Sequence, residues 1–160
     1  MTRPPHGAAC SGLFEAGVPF YRPDYNVVEH PSDVGFELRA SSRARLFADA
    51  TLVYYDMLVG LDRIVPRLDR VVEVTGLDDG DLMVTLLSEC IILTEVEQIL
   101  FCQARVEEIQ PDRLVLRLCG EPVDETRHVF ELGIKAVTYH ALSVTANADG
   151  SWRAHVVFDI

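Results

Sequence analysis

The sequence predicts an α+β fold, an antiparallel or mixed β-sheet covered by two main helices. Three observations carry that expectation. Two stretches, near residues 43–61 and 81–100, repeat apolar residues at helical spacing. The segments around them read as short strands. Most of these strands follow one another across tight turns, which makes them antiparallel neighbours.

Residues 1–24 hold Pro4, Pro5, Pro19 and Pro23 with Gly7, Gly12 and Gly17, and no apolar period runs through them. They read as a flexible leader with Phe14, Phe20 and Tyr21 as local anchors, ahead of a single domain over 25–160. Tyr25–Glu29 reads as a strand, broken by Pro31 and turned at Gly35, and Phe36–Ala40 as the next strand. Ser41 and Ser42 offer N-caps for the first helix. Its stripe is Leu46, Phe47, Ala50, Val53, Tyr54, Met57, Leu58 and Leu61, with Arg43, Arg45 and Asp49 toward solvent and Pro66 as the stop. Leu68–Thr75 reads as a strand closed by Gly76 and an Asp78-Asp79-Gly80 turn. The second helix is expected from Asp81 to Leu100, with acidic residues at its start where the helix dipole favours them. Cys102–Ile109 and Arg113–Cys119 form a hairpin across Gln110-Pro111-Asp112, and residues 120–128 read as a loop. Strands near Ile134–Tyr139, Ala141–Ala146 and Trp152–Ile160 complete the chain, the last two joined across Asn147-Ala148-Asp149-Gly150.

Composition narrows the function classes. The formal charge is −11, Lys135 is the only lysine, and the arginines are scattered, so direct nucleic-acid binding is not expected. An acidic surface suits a basic protein partner or cations. No apolar run approaches the length of a membrane span, and no charged-then-apolar start marks secretion. Cys90, Cys102 and Cys119 lie in apolar patterns and read as buried reduced thiols, from which a cytoplasmic location follows. No C-x-x-C, G-x-S-x-G or glycine-rich phosphate loop is present, so a stand-alone enzyme is not expected.

The last nine residues, Trp152–Ile160, stay apolar to the end and should be docked in a sheet. That puts Asp159 and the carboxylate of Ile160 side by side, and a strand at each end of the domain could bring Asp33 to them. Three such carboxylates would raise a pKa or recruit a hard cation. The alternative is that Asp33 caps a turn before Val34-Gly35 and Asp159 is a solvated strand-end residue. Lys135 is either a partner of this acidic cluster or of another protein, or a solvated strand lysine. His128 and His140 are ligands, proton carriers or hydrogen-bonded edge residues.

Five groups of residues, in order, resemble the archease family, over Tyr25 to Ile160. They are His30-x-x-Asp33-Val34-Gly35, Gly120-Glu121-Pro122, Arg127-His128, Lys135-Ala136-Val137-Thr138-Tyr139-His140 and Phe158-Asp159-Ile160. The chain departs from the family pattern at Pro31-Ser32 and in the middle of the second helix, Leu86-Leu87-Ser88-Glu89-Cys90. The resemblance implies a strand–helix–strand–strand α+β architecture without catalytic activity of its own. It implies an activator that helps an RtcB-type RNA ligase acquire GMP and turn over repeatedly, in tRNA splicing or RNA repair. It further implies a divalent-cation site built from Asp33, Asp159 and the Ile160 carboxylate, for calcium first and magnesium or manganese as alternatives. Lys135 is the foremost candidate for contact with the ligase, with His30 and His140 beside it. Two other expectations stand against this one. One is a chaperone or specificity modulator of a tRNA-modifying enzyme such as a tRNA methyltransferase. The other is a metal-dependent hydrolase using Asp33 and Asp159.

Overall fold

The computed structural model describes residues 21–160. The expected leader falls mostly on residues 1–20, outside the described residues. The elements run β1 (Tyr25–Glu29), β2 (Asp33–Ala40), α1 (Arg43–Leu58), β3 (Leu68–Thr75), α2 (Asp79–Glu95), β4 (Ile99–Ile109), β5 (Arg113–Pro122), β6 (Ala136–Ala146) and β7 (Trp152–Asp159), with a 3-10 turn at Leu61–Arg63. The fold is α+β, as expected, but its strands form two sheets. One is four-stranded, ordered β1-β2-β7-β6, and the other three-stranded, ordered β3-β5-β4. Every pairing is antiparallel.

Helix α1 packs against β2 and β7 of the first sheet and β4 of the second, and α2 against β6, β3 and β4. The helices therefore bridge the sheets, which explains why α1 is buried almost all round. Ser42 caps it by accepting the Arg45 N–H at 3.1 Å. Its end comes earlier than Pro66: the chain turns at Gly60, whose φ of 100° lies in the left-handed region that only glycine enters freely. Asp49 also departs from expectation. It is 4% exposed rather than solvated, because residues 21–25 lie across that face of the helix. Its carboxylate accepts the Tyr21 hydroxyl at 3.0 and 3.1 Å and pairs with Arg45 at 3.2 Å. Asp56 ties the same segment down by accepting from Arg22 at 3.1 Å and from Tyr25 at 2.7 Å.

The second helix begins and ends earlier than its apolar pattern suggests. Asp78 is the N-cap, accepting the Asp81 N–H at 2.8 Å, so the expected Asp78-Asp79-Gly80 turn is the helix start. The run Ile91–Leu100 reads equally as helix or strand, and what divides it is Gln98. That residue takes a left-handed φ of 56°, and its side-chain amide donates to the open carbonyls of Thr94 and Glu95. Ile99 and Leu100 then belong to β4. Gly120-Glu121-Pro122, expected in a loop, finishes β5. Cys90 and Cys102 are buried free thiols, pushed up to about 12 by burial. Cys119 is instead disulfide-bonded, which removes it from the argument for a reducing compartment. No helix among the described residues is long and apolar enough to cross a membrane.

Candidate functional site

The C-terminal strand is docked through its inward face. Ala154, Val156 and Phe158 are buried, and Phe158 meets Phe36 and Tyr54 with ring centroids 5.8 and 5.9 Å apart. Side chains alternate along a strand, so Arg153, His155, Val157 and Asp159 share the opposite face, where Val157 is buried and Arg153 and Asp159 are exposed. β2 follows the same rule, with Val34, Phe36 and Leu38 inward and Asp33, Glu37 and Arg39 outward.

The register between these strands places Asp33 directly opposite Asp159. Opposed residues in an antiparallel pair share a face, so the two carboxylates stand next to each other on the outer face. Like charges set opposite each other across a strand pair repel. Gly35 keeps the strands this close. It sits inside β2, not at a turn, and a Cβ there would meet the Val156 carbonyl oxygen at 2.5 Å. The turn lies before it, where the His30 N–H donates to the Asp33 carbonyl at 3.1 Å.

Asp33 is not a turn cap through its side chain. Its Oδ1 is buried and has no hydrogen-bond partner. A buried carboxylate oxygen without a donor is costly, and such an atom calls for a proton, a water or a cation. Thr138 Oγ1 is the other orphaned buried oxygen on this sheet face, one residue row further in. Its place in the Lys135–His140 run was its only sequence signal, and it was not singled out there.

The remaining candidates gather to different degrees. Ile160 follows Asp159 directly and is 38% exposed. Ala136 pairs with Asp159 across β6 and β7, and the Lys135 N–H donates to the Asp159 carbonyl at 2.8 Å. Lys135 is thus anchored beside the acidic pair with its side chain exposed. His30 is exposed in the turn that leads into Asp33. His140 is four residues beyond Ala136, about 13 Å along the strand, in a stretch where β6 leaves its register with β7. It does not join the group. His128 is wholly elsewhere. Its Nδ1 accepts the Asp124 N–H at 2.8 Å, so the proton of the neutral ring is on Nε2, which faces the Arg63 carbonyl at 3.1 Å. It is a buried structural histidine.

That histidine belongs to a polar knot the sequence reading missed. Glu121 is 1% exposed and accepts from Arg127 and the Val65 N–H, with His128 Nε2 at 3.4 Å. Burial pushes the Glu121 carboxyl up, but Arg127 and the Val65 N–H outweigh it and hold the group below its ordinary value. The knot pins the start of the connection from β5 to β6. The Glu131 N–H then donates to the Leu58 carbonyl at 2.8 Å, and Ile134 is buried just before Lys135.

No three His, Cys, Asp or Glu side chains gather into a metal-holding group among the described residues. The donors at this end are two aspartates and whatever the Ile160 carboxylate adds. As oxygen donors with one unsatisfied buried atom, they fit a hard cation.

Comparison with known proteins gives a single answer. Residues 25–160 match the model of the Archease protein family (MTH1598/TM1083). Protein archease of Methanosarcina barkeri is 33% identical over 140 residues, covering 85% of this chain and 95% of its own. Protein archease of Methanopyrus kandleri is 33% identical over 138 residues, with coverage of 83% and 96%. The solution structure of Methanobacterium thermoautotrophicum protein 1598 superimposes with a TM-score of 0.70 over 85% of this chain and 98% of that one. At 21% identity, that likeness speaks to the fold alone.

Proposed function

The chain belongs to the archease family, and from that premise we propose that it is a non-catalytic, metal-binding protein cofactor that activates an RtcB-type RNA ligase. The observation that carries the reading is the pairing of Asp33 with Asp159, with Asp33 Oδ1 buried and unpartnered. A divalent cation, calcium first among the candidates, would be held by Asp33, Asp159 and the Ile160 carboxylate. When bound it would supply positive charge that relieves their repulsion and can be offered to an incoming phosphate or carboxylate.

The chain's own residues do the rest. Phe158 and Val156 fix the end of β7 against the core, so Asp159 is presented on a rigid element. The Lys135 N–H holds the start of β6 to the same strand end, which leaves the lysine side chain free to meet the partner. His30 lies in the turn beside Asp33. Neither a nucleophile nor a phosphate loop accompanies them, which favours action on a partner's reaction over a reaction of its own. The reaction served would be ligase guanylylation and repeated turnover in tRNA splicing or RNA repair.

Reconstitution tests this. The purified chain is added to the ligase with GTP and a divalent cation, and GMP transfer to the ligase and multiple-turnover joining are followed. Wild type should stimulate both, and Asp33→Ala and Asp159→Ala should lose most of the stimulation. Equal stimulation by the variants overturns the mechanism. Metal-dependent phosphoester hydrolysis by the chain alone would favour the hydrolase instead. Stable association with a tRNA methyltransferase and not the ligase would favour the modulator.

A further inference from the structure

A second exposed surface lies at the start of α2, away from the Asp33–Asp159 pair. Leu77, between β3 and α2, is 94% exposed, and Tyr139 on β6 is 63% exposed. Ile109, at the end of β4, is 39% exposed. Single exposed apolar residues need no explanation, but these converge. One open groove of about 730 Å³ is lined by Leu77, Tyr139 and Leu142, and a second of about 400 Å³ by Ile109 and Pro111. Asp78 and Asp79 line both.

The Tyr139 hydroxyl donates to Asp81 Oδ1 at 2.8 Å, and Asp81 Oδ2 accepts the Leu77 N–H at 2.9 Å. One carboxylate thus fixes both. β6 departs from its register with β7 between Thr138 and Ser143, and Ala141 there takes a left-handed φ of 54°. A non-glycine residue in that region is strained, and such strain gathers where a surface is put to use. The departure carries Tyr139 across to the start of α2.

Charge decides what covers the surface. Asp78, Asp79 and Asp81 stand around it, and Arg43, which lines the second groove, is tied to Asp79 at 2.6 Å. The whole chain carries −11. Nucleic acid and anionic membrane are repelled by such a face, while a basic protein segment is drawn to it. Tyrosine and an apolar neighbour inside a charged rim are the usual anchors of a protein interface.

We propose that the start of α2 is a docking surface for an extended basic segment of a partner protein, in which arginine or lysine flanks an apolar side chain. The apolar residue would enter beside Leu77 and Leu142, and the cations would face Asp78, Asp81 and the Tyr139 ring. The surface itself stands on its own observations. Only the identity of the partner, the RNA ligase, rests on the function proposed above.

Two arms test it. In the first, an Arg-Leu-Arg-Leu-Arg peptide is titrated into the ¹⁵N-labelled protein, with Glu-Leu-Glu-Leu-Glu as the control. The basic peptide should shift amides of residues 77–81, 109–111 and 139–144, more weakly as salt rises. Leu77→Lys, at a fully exposed position, should weaken it by about tenfold or more. Shifts spread evenly over other acidic surfaces, or an unchanged affinity in Leu77→Lys, would overturn the surface. In the second arm, ligase affinity is measured for wild type, Leu77→Lys and Tyr139→Ala, and both variants should fall by a similar factor. Wild-type affinity in both overturns the proposal for the ligase. A ligase that ignores wild type while the peptide maps to the groove sinks the proposed function and leaves the surface standing.

Discussion

Asp33 Oδ1 is the atom on which the site reading turns. Sequence spacing leaves Asp33 open between a turn cap and a ligand, and the unpartnered buried oxygen decides against the cap. Glu121 shows the opposite outcome, a buried carboxylate with every need met by Arg127, the Val65 N–H and His128. The two acids should therefore respond differently to substitution. Adding a divalent cation should raise the melting temperature of wild type and leave Asp33→Asn unmoved, as read by calorimetry, and an equal rise in both would remove Asp33 from the ligand set. Glu121→Gln should cost roughly 2–3 kcal/mol at neutral pH, below the usual loss for a buried pair because Arg127 is partly exposed. It should also change the acid limb of stability. Glu121 is held below its ordinary 4.5, and Asp124 is held down to about 2 by the Thr126 hydroxyl first and Arg127 next. For both, the unfolded chain binds the proton at higher pH than the folded one. The contribution of Glu121 is present above its ordinary 4.5 and is lost as pH falls below it, and that of Asp124 is lost as pH falls from 3.8 toward about 2. Melting curves over that window should fall less steeply for Glu121→Gln than for wild type.

β7 is the element that makes these residues a site. Its apolar run through Phe158 was legible in the sequence, and so was its docking. So was its hairpin partner β6, through the turn at residues 147–150. Pairing with β2 on the other side is a long-range choice that no local period encodes. Phe158→Ala should cost about 3–5 kcal/mol by opening a cavity against Phe36 and Tyr54, read as the denaturant midpoint. Gly35→Ala should cost about 1–3 kcal/mol through the clash with the Val156 carbonyl. It should also weaken cation binding, because Asp33 must move off Asp159. A Gly35→Ala protein with wild-type cation affinity would mean the close strand approach does not set the site. Helix boundaries were the less legible part. Pro66 drew attention from Gly60, and the apolar run through Leu100 concealed the stop at Gln98. At both ends a single backbone dihedral, at Gly60 and at Gln98, decides the boundary, and neither a proline nor an apolar period marks it.

The whole molecule is an acidic α+β body in which two sheets clasp two helices. Its proposed working parts lie at one strand end and at one helix start, linked along β6. An extension after Ile160 would turn the terminal carboxylate into an amide, so a C-terminal tag should impair cation binding and ligase stimulation more than an N-terminal tag. Equal effects of the two tags, measured side by side, would remove that carboxylate from the site. By itself, the sequence determined the α+β class, most strands, the docking of β7, and, through five short motifs, the family. Those are local or patterned properties, set by periodicity, turn residues and fixed spacing. The tertiary structure alone decided that the strands divide into two sheets, that Asp49 and Glu121 are buried, and that Asp33 faces Asp159. It also separated His128 and His140 from the site and exposed Leu77 beside Tyr139. Each of these depends on which distant segments come together, and burial and register exist only once they do.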